Sequence, residues 1–155
     1  MTGSAGRGGR TGRLKKDPRH QAREAALQIL YQWEIGRGEV GRAAETYFTY
    51  QWAGPATPSE ELRLFATVLA RETVERLEQI DALIADTSER WRPERMAVLD
   101  RLILRMATCE LLRGAGTPPA VVINEALELA RTFTTEDSVK FINGMLDTIR
   151  KKIER

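Results

Sequence analysis

The sequence predicts an all-α protein, a bundle of about six or seven helices in two packed halves. Three observations lead there. Apolar residues recur at three- and four-residue steps through most of the chain. No segment alternates apolar and polar residues as a half-buried strand would. Helix-starting hydroxyls, acids and prolines, and helix-stopping glycines, punctuate the pattern.

Residues 1–16 come first, with Arg7, Arg10, Arg13, Lys15, Lys16, five glycines and no acid. So little apolar surface cannot offset the entropy of ordering, and the segment is expected to be a disordered basic Gly/Arg-rich arm. It serves either phosphate contact or solubility, which charge alone does not separate. Residues 17–155 are expected to form a single helical domain, its halves divided near 87–93. The first helix starts at Pro18, with Asp17 as N-cap. Ala22, Ala25, Ala26, Ile29, Leu30 and Trp33 share one face, and Gly36 and Gly38 stop it. At about 100° per residue, Tyr31 falls about 160° and His20 about 140° from the centre of that face, so both are expected to look outward.

Between 36 and 58 a Gly- and Pro-rich stretch encloses an aromatic segment from Tyr47 to Trp52, expected to form one or two helical turns. Its rings either stack on bases or fill the junction between helices. The scarcity of basic residues beside them favours filling. Ser59 and Glu60 open a long helix expected to reach Asp86, with Leu62, Phe65, Ala66, Leu69, Leu77, Ile80 and Ile84 inward. Trp91 and Pro93 mark the next helix, whose stripe is Met96, Leu99, Ile103, Met106 and Ala107 and which ends before Gly114. Thr117 is expected to cap a helix begun by Pro118 and Pro119, with Val122, Ala126, Leu129, Ala130 and Phe133 inward. Thr134 and Thr135 followed by Glu136 and Asp137 give the last helix hydroxyl caps and then acids favoured by its dipole. Its stripe is Val139, Ile142, Leu146, Ile149 and Ile153.

Composition narrows the function classes. The 155 residues carry 24 basic and 22 acidic side chains, a net charge of +2. That sum hides a division, because the arm holds five basic residues and the remaining 139 carry 19 basic against 22 acidic. One cysteine, Cys109, cannot form an internal disulfide, and one histidine, His20, cannot close a zinc site with it. No apolar run approaches the ~20 residues of a spanning helix, and none marks a signal peptide. A cytoplasmic protein without metal, cofactor or membrane contact is expected. No nucleophile arrangement or strand-loop-helix glycine motif is present, and the carboxylates at Glu72, Glu75 and Glu78 have the spacing of a solvated face. The expectation is that the protein is not an enzyme.

A few residues stand out. Glu110 lies within an apolar stripe, and a buried carboxylate needs partners. Pairing with an arginine, or with free amides at a helix start, is preferred to a binding role. Phe141 falls about 120° from the centre of its helix's apolar stripe beside Lys140, so its ring is expected to face outward or lie at the rim. It is either a base-stacking residue or one of the isolated exposed apolar residues common on surfaces. Arg19, His20 and Arg23 form a second basic cluster continuous with the arm, suited to phosphate contact.

Four segments then follow in order: Ala22-Arg23 through Tyr31-Gln32-Trp33, Ile103-Leu104-Arg105-Met106-Ala107, Val122-Ile123-Asn124-Glu125-Ala126 through Ala130, and Asp137 through Lys140-Phe141-Ile142-Asn143-Gly144 to Asp147. This succession, over roughly residues 18–150, resembles the NusB family of bacterial transcription antitermination factors. The resemblance implies a non-catalytic RNA-binding adaptor. Such an adaptor binds the single-stranded boxA element of ribosomal RNA leader transcripts together with NusE, a small-subunit ribosomal protein, and joins the RNA polymerase elongation complex. It implies RNA contacts by Arg19, His20, Arg23, Lys140 and Phe141, with Phe141 stacking on a base. It implies NusE contacts by Tyr31 and Asp100, and an antitermination-modulating position at Asp137. The family's denser arginine run is here Arg19-His20-Gln21, and Cys109 stands where a tyrosine is common. The family also allows homodimers, so a self-associating helical interaction protein with weak or masked RNA binding is the rival. A related helical domain precedes ribosomal RNA cytosine methyltransferases, whose catalytic domain this length is not expected to hold.

Overall fold

A computed structural model describes residues 18–89, 92–114 and 116–154. The basic arm, the Asp17 cap and Trp91 lie outside these residues. Among the described residues the chain forms seven α-helices and no strand. They are α1 (Pro18–Gly36), α2 (Val40–Thr46), α3 (Glu60–Glu75), α4 (Leu77–Thr87), α5 (Val98–Arg113), α6 (Pro119–Phe133) and α7 (Glu136–Glu154). A π-helical turn, Tyr47–Gln51, continues α2, and a 3-10 turn, Pro93–Arg95, precedes α5.

The expected apolar face of α1 is buried throughout, together with Arg23 and Leu27. Its alanines Ala22, Ala25 and Ala26, with Ala66 and Ala70 of α3, are fully buried, and small side chains let two helices that pack together approach closely. Past Gly36 the backbone turns left-handed at Arg37 (φ 58°) and Gly38 (φ 81°). The Trp33 indole N–H donates to the Gly38 carbonyl at 3.0 Å, which fixes that turn.

The aromatic segment mostly fills a junction. Tyr47 and Phe48 are buried with rings edge to face at 5.1 Å, and Trp52 packs against both, while Tyr50 is exposed. Ser59 caps α3 by accepting from the Leu62 N–H at 3.1 Å. The single long helix expected up to Asp86 is in fact two, broken at Arg76 (φ −101°, ψ 17°). One turn earlier the Thr73 hydroxyl donates back to the Leu69 carbonyl at 2.8 Å, a bond that bends helices.

α5 runs through the centre. Every residue from Arg101 to Leu111 is buried, so the helix has no solvent face, only ends. Burial of Arg101 and Arg105 requires partners. Arg101 donates to Glu34 at 2.7 Å and to the Pro93 carbonyl at 3.0 Å, and Arg105 makes a two-pronged pair with Asp81 at 2.8 Å. These bonds tie α5 to the end of α1 and to α4. Gly114 (φ 60°) ends α5 in a left-handed cap, its N–H donating to the Glu110 carbonyl at 3.1 Å.

Thr117 does not cap α6. The cap residue is Pro118, with no side-chain cap bond, and its carbonyl accepts from Val121 and Val122 at 3.0 and 3.1 Å. The proline pair presets the first turn without a hydroxyl. The two threonines before α7 divide the work. Thr134 closes α6 by donating to the Ala130 carbonyl at 2.7 Å, and Thr135 caps α7 by accepting from the Ser138 N–H at 3.1 Å. α5, α6 and α7 pack on one another, α1 and α3 lie against α5, and α4 lies against α5 and α7. Their buried apolar side chains form one cluster.

Candidate nucleic-acid and partner interface

At the start of α1, Arg19 is exposed and its guanidinium lies 4.7 Å from the centre of the Phe65 ring of α3. Pro18, Arg19, Ala22, Glu61, Leu62 and Phe65 line a cavity of about 180 Å3 there. A ring under a guanidinium orients it.

His20 does not look outward as its angle on α1 suggested. Its side chain is 13% exposed, with Nδ1 2.6 Å from Glu125 of α6 and Nε2 3.2 Å from Glu24. The periodicity of one helix cannot report that another helix arrives on its flank. The hydrogen bond to Glu24 and the pairing with Glu125 raise the imidazole pKa above its ordinary value, against the opposing effect of burial.

Arg23 lies deeper. Its Nε and Nη2 donate to the two carboxylate oxygens of Glu110 at 2.7 and 2.9 Å, and both residues are 4% exposed. Glu110 therefore has the arginine partner that its place in an apolar stripe demanded. Phe65 also faces the Arg23 guanidinium at 5.2 Å, so one ring serves both α1 arginines.

On α7, Lys140 is exposed and Phe141 is half-buried at the rim, packed against the core. Asp137 is exposed on the first turn. Tyr31 is 43% exposed, facing outward as expected, and with Leu27, Gln28, Gln32, Gln51, Leu99 and Phe133 it lines a largely apolar groove of about 300 Å3. Gln32 donates to Gln51 across one side of it. Asp100 follows Leu99 on the first turn of α5 and accepts from the Ser138 hydroxyl of α7 at 2.9 Å. The structure thus sets Tyr31 and Leu99 on one groove and bonds the next residue, Asp100, to the start of α7, while Arg19, His20 and Arg23 gather where α1 meets α3, α5 and α6.

Sequence reasoning missed Glu24 and Glu125 as partners of His20, and Phe65 as the platform for Arg19. Glu125 lies 105 residues from His20, and no local pattern connects them. Among the described residues no group of histidine, cysteine and carboxylates could hold a metal ion. Burial raises the Cys109 thiol above its ordinary pKa, which disfavours a reactive thiolate. No helix among the described residues is long and apolar enough to cross a membrane.

Comparison with known proteins gives a consistent result. The NusB family model matches residues 20–151. The transcription antitermination protein NusB of Koribacter versatilis is 42% identical over 141 residues, covering 91% of this chain and 94% of its own. That of Desulforamulus reducens is 44% identical over 128 residues, covering 83% and 86%. Among solved structures, T. maritima NusB superposes with a TM-score of 0.78 at 36% identity, covering 88% of this chain and 93% of its own. A crystal structure of the antitermination factors NusB and NusE in complex with dsRNA superposes with a TM-score of 0.75 at 24% identity, covering 87% and 97%, a likeness of fold. The chain belongs to the NusB family, whose members are transcription antitermination proteins, a role without catalysis.

Proposed function

We propose that this protein is a cytoplasmic RNA-binding adaptor that holds boxA-type single-stranded RNA together with NusE and joins the elongating RNA polymerase. Arg19, His20 and Arg23 on α1 and Lys140 and Phe141 on α7 serve the RNA, and Tyr31 and Asp100 serve NusE. Asp137, beside Ser138 on the first turn of α7, modulates the activity. The crystal structure of a fold relative with NusE and dsRNA supports the RNA and NusE parts of the reading.

The observation that carries it is the Asp100–Ser138 hydrogen bond. It joins the partner side of the molecule, where Leu99 and Tyr31 share a groove, to the turn of α7 that bears Lys140 and Phe141. An apolar groove with an outward tyrosine suits a protein partner, because tyrosine brings large contact area at low entropic cost. A lysine beside a rim phenylalanine suits a single strand, whose phosphates and base faces need those two chemistries. In this arrangement Arg23 acts from below the surface, held by Glu110, and Arg19 is the α1 arginine open to solvent.

Fluorescence anisotropy of labelled boxA RNA, with and without NusE, tests the assignment. NusE is expected to tighten binding, and Arg19→Ala, Lys140→Ala and Phe141→Ala each to weaken it several-fold. Equal affinity of all variants and wild type would overturn it. Truncation of residues 1–16 is expected to weaken binding and to lower its salt dependence by about 0.7 per phosphate released. Light scattering addresses the self-associating rival. A dimer that persists with both RNA and NusE present would favour that rival.

A further inference from the structure

A second arginine cluster lies away from these residues. Arg63, Thr67 and Arg71 recur every fourth residue along α3 and so share one face of it. With Arg42, Glu39, Gly41 and Glu45 they line a cavity of about 340 Å3 between α2 and α3, floored by Phe48. The Arg63 guanidinium lies 5.1 Å from the centre of the Phe48 ring, and Arg71 reaches across to Gly41 of α2.

The buried and half-buried arginines at the helix contacts are engaged by carboxylates, as in Arg23–Glu110, Arg101–Glu34, Arg105–Asp81 and Arg113–Glu72. Here, among the described residues, Arg42, Arg63 and Arg71 make no ion pair, although Glu39 and Glu45 line the same cavity. Three unpaired guanidinium groups around one polar cavity are suited to a phosphate, which arginine binds through paired N–H donors. A ribonucleotide uses both signs, its phosphate accepting from arginine and its 2′-hydroxyl donating to a carboxylate. The volume suits a ligand of that size. Glu61 lines the cavity beneath Arg19, and Arg63 follows it by two residues, about 200° further round α3, so a strand leaving Arg19 reaches the second cavity by crossing that end of the helix.

We propose that the α2–α3 cavity holds one nucleotide of the RNA strand outside boxA, with Arg42, Arg63 and Arg71 on its phosphate and Glu39 or Glu45 on its ribose hydroxyl. The proposal rests on the RNA-binding reading above and extends the RNA path to the far side of α3. The test compares a boxA oligonucleotide with one extended on both sides, at several salt concentrations. Wild type is expected to bind the extended RNA several-fold more tightly. The Arg63→Gln/Arg71→Gln double variant, checked for an unchanged helical circular dichroism spectrum, is expected to lose that gain and to bind the boxA oligonucleotide as wild type does. Its salt slope on the extended RNA should fall by about 0.7 for the phosphate no longer neutralised. Deoxyribose in the extensions should reduce the wild-type gain. No gain on extension, or a gain that the double variant keeps, overturns the proposal. Inorganic phosphate that stabilises wild type but not the double variant, with no gain on extension, assigns the cavity to a free anion and overturns it too. Wild type that binds neither RNA overturns the RNA-binding reading itself.

Discussion

Arg23 and Glu110, 87 residues apart in the chain, meet in a two-pronged ion pair buried between α1 and α5. Removing one partner of such a pair leaves a charge without compensation, at a cost of about 3–5 kcal/mol. Glu110→Ala is therefore expected to lower the melting temperature by roughly 10 °C, since each kcal/mol is worth about 2–4 °C in a chain of this size. Replacing both partners with apolar residues, Arg23→Met with Glu110→Leu, should recover most of the loss, because the desolvation cost disappears with the charges. Thermal unfolding followed by circular dichroism checks both. A Glu110→Ala melting temperature equal to wild type would show that the pair does not hold the helices. Any loss of RNA binding by Arg23→Ala has to be read beside its melting temperature.

His20 makes stability depend on pH in a defined direction. Its pKa is raised in the folded protein, chiefly by Glu24 and further by Glu125, so the folded state holds the proton more tightly than the unfolded chain. The resulting stabilisation is complete below the ordinary value of 6.5 and fades as pH rises through the raised folded value. Raising the pH from 6 to 8 is expected to lower wild-type stability more than that of His20→Gln, which has no such proton. Denaturant unfolding at the two pH values measures the difference, and parallel pH profiles would remove His20 from the account.

How far the sequence reads through to this structure depends on how many sides of a helix are covered. α7 is covered on one side, so its stripe of Val139, Ile142, Leu146, Ile149 and Ile153 is legible and predicts an outward or rim position for Phe141, which lies at the rim. α5 is covered on all sides. Its spacing shows a stripe of Leu99, Ile103, Met106 and Ala107, yet Leu102, Leu104 and Cys109 are buried too, and its arginines Arg101 and Arg105 are enclosed by acids from α1 and α4. The need of Glu110 for a partner was legible because an acid in an apolar stripe violates the pattern. The identity of the partner is not legible, and the spacing of α1 turns His20 outward because α6 leaves no trace in it. The break at Arg76 is similarly hidden, since the apolar spacing continues across it.

Lys140 and Phe141 are neighbours whose variants should behave differently. Lys140 is exposed, so Lys140→Ala is expected to change stability by less than about 0.5 kcal/mol while weakening RNA binding and lowering its salt slope by about 0.7. Phe141 packs partly on the core, and full truncation of a buried phenylalanine costs about 3–5 kcal/mol, so Phe141→Ala is expected to cost roughly half of that. Its RNA affinity should fall with the salt slope unchanged, because a ring neutralises no phosphate. Salt-dependent anisotropy beside thermal unfolding separates the two. If the slope changes with Phe141→Ala and not with Lys140→Ala, the stacking and phosphate roles are misassigned.

Tyr31 and Asp100 offer the complementary test on the proposed partner side. Tyr31 is an exposed ring on the rim of the groove formed with Leu99 and Phe133, so Tyr31→Ala removes contact area without opening a cavity in the core. It should leave the melting temperature within a few degrees of wild type. If NusE seats there, its dissociation constant rises at least tenfold, the signature of a central aromatic contact worth about 1.4 kcal/mol or more. Asp100→Asn is subtler. The amide oxygen can still accept from Ser138, so the link between α5 and α7 survives while the negative charge is lost. Its effect on NusE should therefore appear in the association rate and its salt dependence, as for a charge that steers encounter. Isothermal calorimetry and stopped-flow mixing with purified NusE read these outcomes. Unchanged affinity in Tyr31→Ala would move the partner surface away from this groove, whatever RNA binding shows.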